Sequence, residues 1–342
     1  MRIIHGVPDP ESAKLPDGSP TPPLDRNRLV SYKNRLFVLV LCLSGLIGCA
    51  DPVGVDRFPD LDPVFSWSEI VHEVGENFRG VWGASADEVF AVTSSGGTIL
   101  HYDGIAWTGM ESGTTRSFYA IGGTSSSNVF AWVTGGRVRH YDGIAWSEMV
   151  NETGHSMRDI WCASPSDVFA VGIYGTIMHY DGANWSMMMT GSRDSEWTRL
   201  MGVWGTSADD VFAVGTNGRI EHYDGSEWTL MASGTDAYFR GVWGTSSSDV
   251  FAVGLQGTIL HYDGTAWSVM TSGMSYGLED VWGTSPSDVY AVGSEGTILH
   301  YDGMNWSTME SGTTENLMAV WGTSSGEVYV VGWGGTILRG QR

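Results

Sequence analysis

Gly257-Thr258-Ile259-Leu260-His261-Tyr262-Asp263-Gly264-Thr265-Ala266-Trp267 recurs along the chain in near copies, and that recurrence decides the fold. His-Tyr-Asp-Gly begins at His101, His140, His179, His222, His261 and His300. The tryptophan ending the unit falls at Trp67, Trp107, Trp146, Trp185, Trp228, Trp267 and Trp306, at spacings of 40, 39, 39, 43, 39 and 39 residues. A period of this length is the mark of a repeat architecture, in which each unit buries its apolar face only against its neighbours. A second series, Trp82, Trp161, Trp204, Trp243, Trp282 and Trp321, keeps the period and has Gly122 where a seventh tryptophan would stand.

Outward from the quoted stretch, each unit reads as four short strands. Within 239–273 these are strand A from Phe239 to Gly244, strand B from Val250 to Val253, strand C from Thr258 to Tyr262 and strand D from Thr265 to Met270. Turn residues separate them: Thr-Ser-Ser-Ser-Asp, Gly-Leu-Gln-Gly, Asp-Gly and Ser-Gly. Asp263-Gly264 is expected to make a two-residue type I′ hairpin, because glycine takes positive φ at no steric cost. Four antiparallel strands every 39 residues describe a propeller blade.

The two ends of the repeat region are complementary. Trp67 arrives with only a strand D pattern, and the last copy runs from Leu317 to Leu338 and stops after strand C. Joining them completes a seventh blade and removes an open seam of unpaired strand edges. The expected fold is an all-β, closed seven-bladed β-propeller over 65–342, its N-terminal strand completing the last blade.

The 342 residues include 39 acidic against 18 basic, a formal charge of −21. The only lysines, Lys14 and Lys33, precede the repeats, so arginine supplies every cation after them. A body this acidic repels phosphate backbones, which excludes nucleic acid as a partner. Glycine is frequent, at 47 residues, while hydrophobic residues stay at 42%, the balance of a folded, turn-rich chain.

Leu36 to Leu43 is an unbroken apolar run behind Lys33 and Arg35, and Leu46-Ile47-Gly48-Cys49 follows. The stretch is too short to span a bilayer as a helix and reads as a signal peptide over 1–48. Its end resembles the lipobox of bacterial lipoproteins. That resemblance implies acylation of Cys49 as the first mature residue, a linker over 49–64 and an envelope protein held by a lipid anchor. Asp51 leaves the choice of membrane open, and the proline-rich start points to translation from near Leu29 or Val30. With Cys42 and Cys49 so placed, Cys162 stands alone, at a position that is glycine in the other repeats, and reads as a small buried residue.

The unit Gly257 to Trp267 resembles the Asp-box of sialidase-type repeats and of photosystem-assembly-factor propellers, although the step from Asp263 to Trp267 is four residues where that box has five. The resemblance implies a propeller. Sialidases of this kind carry an arginine triad, a tyrosine nucleophile and an acid on a six-bladed ring, and none of these maps by motif onto this chain.

Function is expected where the repeats differ. Three positions before the inner tryptophan stand Arg79, Tyr119, Arg158, Met201, Arg240, Glu279 and Met318, flanked by uniformly apolar residues. With strand A lining the channel, this variable ring should sit at its mouth, where three arginines hold a carboxylate or phosphate. The competing reading pairs them with Asp159, Asp280 or Glu279. On the same face the B–C loops carry Tyr174, Asn217, Gln256, Glu295 and Trp333, read as one equivalent site, and the longest D–A connection carries Trp197. These residues suit a glycan or a protein, or serve as solvated turns. The repeated histidines do not form a metal site: with strands about 4.8 Å apart, equivalent atoms on the third strands lie about 13 Å from one another, against ligand distances of about 2 Å.

No cofactor or metal is expected, and the chain is read as a monomer. The leading function is a non-catalytic envelope scaffold binding a protein or glycan on its D–A/B–C face; the alternative is a sialidase-like glycan-processing hydrolase. An arginine-lined pocket with a nearby acid and tyrosine would favour the second, a shallow aromatic rim the first.

Overall fold

Strand B is apolar on both faces, and the packing shows why. In Asp249–Gly254 every residue after the first is buried. Val250 and Ala252 pack with Phe212 and Val214 of the preceding blade. Phe251 and Val253 pack with Leu278, Val289 and Ala291 of the following one. Side chains that alternate across a strand thus enter two different inter-blade cores, so the strand needs no polar face.

The structure, a computed structural model, describes residues 65–70, 72–151, 153–188 and 198–341. Cys49, the apolar run before it, the linker and Trp197 lie outside the described residues. Six four-stranded antiparallel sheets run A-B-C-D in chain order, beginning with Phe78–Ser85, Glu88–Thr93, Ile99–Tyr102 and Trp107–Met110. The seventh is made of Leu317–Gly322, Val328–Gly332 and Ile337–Gln341, with Ser66–Glu69 from the other end of the repeats as its outer strand. Trp67 lies opposite Gly340 and Glu69 opposite Leu338, and Ile70 N donates to Ile337 O at 2.8 Å. The expected seven-bladed propeller with its N-terminal closing strand is the observed fold.

Strands B and C of the blades are joined by related side-chain contacts. His261 Nε2 donates to Asp249 Oδ1 (2.6 Å), and its ring lies against Phe251 at 4.6 Å, linking strands C and B. His101, His222 and His300 bond Glu88, Asp210 and Asp288 in the same way, His179 lies 3.4 Å from Asp167 without a hydrogen bond, and His140 meets the neutral Asn128. The last blade uses an Arg339–Glu327 pair instead. Among the described residues no three metal-ligating groups cluster.

Two turns differ from expectation. Strand A runs to Ser246 and strand B starts at Asp249, so the A–B link is a two-residue turn, where a longer Thr-Ser-Ser-Ser-Asp connection was expected. The C–D link spans the four residues between Tyr262 and Trp267, and only Gly264 has positive φ (88°). Asp263 Oδ1 accepts from Thr265 N (2.8 Å) and Ala266 N (2.9 Å). The carboxylate therefore closes an Asx-type turn, and the type I′ expectation is corrected: the aspartate serves through its side chain and not through a left-handed backbone.

Candidate functional site

The variable ring owes its place to a backbone irregularity. In all seven blades the pairing of strands A and B slips by one residue, between Phe78 and Gly80 in the first blade and at the matching points in the others. The residue inside the slip is Arg79, Tyr119, Arg158, Met201, Arg240, Glu279 or Met318. A bulge leaves one residue unpaired and re-aims its side chain. Here all seven line one recess of about 100 Å³ at the channel mouth, together with Asp159 and Asp280.

The pairing inside the recess is uneven. Arg240 Nε lies 3.7 Å from Glu279 Oε2, and its guanidinium lies over the Tyr238 ring at 5.0 Å. Arg158 lies over the Tyr119 ring at 4.5 Å, a cation–π contact. The Nε atoms of Arg158 and Arg240 are buried without a hydrogen-bond partner. Burial holds the Arg79 guanidinium below its ordinary pKa; Glu279 opposes this, and the charges of Arg158 and Arg240 add to it. Three guanidiniums thus share one small space with one adjacent carboxylate.

Asp159 and Asp280 spend their oxygens on backbone donors and not on these arginines. Asp159 Oδ1 accepts from Ile160 N and Oδ2 from Val203 N of the next blade, both at 2.8 Å. Asp280 repeats this with Val281 N (2.8 Å) and Val320 N (2.9 Å). Burial pushes Asp159 up to about 6 and Asp280 up to about 8, the charges of Asp159 and Glu279 adding to the latter, while the backbone donors hold both shifts back. The signal for them in the sequence is faint but present: the other blades carry Gly80, Ala120, Gly202, Gly241 and Ala319 at this place.

The B–C loops present a second ring on the same face. Tyr174, Asn217, Gln256 and Glu295 all have left-handed backbones, φ 57–60°. The fifth member of that set is Gly334 (φ 62°) and not Trp333, which occupies the place of Leu255 and Ser294; the equivalence drawn from sequence was one residue out. Trp333 is nonetheless exposed on that loop, as are Tyr174 and, on a D–A loop, Tyr276. Tyr174 is steadied edge-on by His155 at 5.3 Å. Cys162 packs beside the core between the second and third blades, and burial raises its thiol pKa, which suits a structural thiol.

No family model and no curated protein matches the sequence. Solved structures do. One described as YCF48 bound to D1 peptide is similar over 80% of this chain and 96% of its own, with a TM-score of 0.67 and 16% identity. YCF48 from Cyanidioschyzon merolae covers 80% and 98%, with a TM-score of 0.67 and 15% identity. The WD40 β-propeller domain of Doa1 covers 82% and 98%, with a TM-score of 0.67 and 11% identity. At such identities the likeness is one of fold, and the fold it shares is the β-propeller.

Proposed function

We propose that this is a non-catalytic binding scaffold of the bacterial envelope, tethered through a lipid on Cys49, that holds a protein partner on its D–A/B–C face. The arginine mouth grips an acidic side chain or terminal carboxylate of that partner, and the exposed aromatics around it cover the adjoining segment. One observation carries this reading: Arg79, Arg158 and Arg240 converge in one recess, with the Nε atoms of Arg158 and Arg240 buried and making no hydrogen bond. A buried donor left without a partner is costly, and an incoming carboxylate supplies the missing acceptor with a charge-assisted bond. The peptide in the YCF48 structure belongs to that protein and lends support by example only. The anchor rests on the sequence pattern around Cys49.

The hydrolase reading has an observation in its favour, since Tyr119 and Glu279 line the recess with the three arginines. The arrangement within it points the other way. Tyr119 meets Arg158 through its ring face, and Glu279 is paired with Arg240; among the described residues no carboxylate is hydrogen-bonded to the Tyr119 hydroxyl to activate it. The space, about 100 Å³, is also well below the roughly 300–1,000 Å³ of sites that enclose a small molecule.

Titration of the protein with fluorescent peptides ending in acidic residues tests the site. Arg158→Ala and Arg240→Ala are each expected to weaken binding about tenfold or more, the worth of a charge-assisted bond, with the melting temperature nearly unchanged. Equal affinity in wild type and both variants would remove the mouth from the binding surface. Cys49→Ser is expected to move the protein from the membrane to the soluble fraction of the producing cell.

A further inference from the structure

Below the arginine ring, one residue further along strand A, the third and sixth blades place carboxyl groups where the other five carry only glycine or alanine. Those five blades build the same seam without a carboxylate, so Asp159 and Asp280 are not required for closing the ring. Each spends both oxygens on backbone donors, one of them across the blade boundary. Arg240 is paired with Glu279 and not with either aspartate. Both line the recess that holds Arg79, Arg158 and Arg240.

We infer that the channel mouth takes up its anion together with protons on Asp159 and Asp280, so that anion binding strengthens as the pH falls. This rests on the reading of the mouth as an anion site and adds its regulation. Several titratable or charged groups face the two aspartates. Glu279 and Arg240 lie beside Asp280, and Arg158 and the Cys162 thiol lie on the strand of Asp159. Tyr119 and Arg79 lie beyond, while Met201 and Met318, from the blades that follow, carry no charge.

The sign follows from the charges. With both aspartates ionised, they and Glu279 offset the three arginines; with both protonated, the recess carries a surplus of two positive charges. An anion therefore binds the protonated form better, and by linkage its arrival draws protons onto the carboxyls. Asp280, at about 8, and Asp159, at about 6, place the change across the neutral range. Even at about 10 Å and an effective dielectric of about 20, one unit charge is worth at least about tenfold in affinity.

Calorimetric titration of the full-length protein with sodium sulfate tests this, because sulfate stays a dianion across the range. It is run at pH 5.5 and 8.5 and constant ionic strength, in buffers of differing ionisation enthalpy. The expected result is binding at least about tenfold tighter at pH 5.5, with net proton uptake between those limits. In Asp159→Ala/Asp280→Ala, which copies the residue found in the second and seventh blades, the pH dependence and the proton uptake should largely vanish. Should the double variant not fold, each single alanine variant is expected to remove part of the uptake. Sulfate binding that is independent of pH, or a pH dependence surviving in the variants, overturns the inference while leaving the anion site standing. Absence of sulfate binding at every pH overturns the site itself and the inference with it.

Discussion

Trp267 illustrates how a single repeated side chain holds a blade to its neighbour. It lies beside Tyr262 at 5.3 Å within its own blade and reaches Phe212 and Met231 of the blade before. The equivalent tryptophans Trp146, Trp185, Trp228 and Trp306 are also buried. Burying an indole removes about 150–250 Å² from water, so Trp267→Ala is expected to cost about 3–5 kcal/mol, read from a denaturant-unfolding curve. A loss below about 1 kcal/mol would mean that the residue does not carry the seam. The spacing of these tryptophans is visible in the sequence because a core residue must recur whenever its blade recurs. The pairing of Arg158 with Tyr119, and of Arg240 with Glu279, is not visible there. It depends on which ring members sit on adjoining blades and on how each bulge turns its side chain, and neither leaves a local pattern.

Between elements, the inner tryptophans act as wedges. The indole of Trp82 lies over Gly123 of the next blade, Trp161 over Gly205, Trp204 over Gly244 and Trp243 over Gly283, each so close that a Cβ there would sit within about 3 Å of the ring. Glycine is required at these positions by contact, whatever its backbone angles. The second blade breaks the series with Gly122, and the third answers with Cys162 where the receiving glycine would be. Trp132, buried where the other blades have valine, fills the same seam and meets Trp185 at 5.2 Å. The exception thus has a compensated form. Gly122→Trp alone is expected to destabilise by about 1–3 kcal/mol through overpacking, and adding Cys162→Gly should recover part of that loss. A double-mutant cycle measures the coupling; strictly additive effects would show that the two positions do not share the space.

At the scale of the molecule, the ring closes because Ser66–Glu69 supplies the strand that the last blade lacks. His72, just after it, fastens the seam: Nδ1 accepts from Val74 N at 3.1 Å, and Nε2 donates to Gly335 O at 2.7 Å. At the boundary of the first and second blades Ser112 does the same work, accepting from Thr114 N and donating to Gly97 O at 2.6 Å. Blade number, strand number and closure were determined by the sequence alone. They follow from local periodicity and from two incomplete ends, and both are one-dimensional properties that a chain carries whether folded or not. The ring at the channel mouth was also legible, since the repeats themselves show which strand A position varies. What only the tertiary structure decided is the state of the groups gathered there: two buried arginine Nε atoms without a hydrogen bond, and two aspartates bonded to the neighbouring blade's backbone. It also decided that Gly334, and not Trp333, continues the B–C series. The state of the groups at the mouth depends on contacts between residues of different blades and on the loss of water around them, and burial of that kind exists only once the blades have closed into a ring.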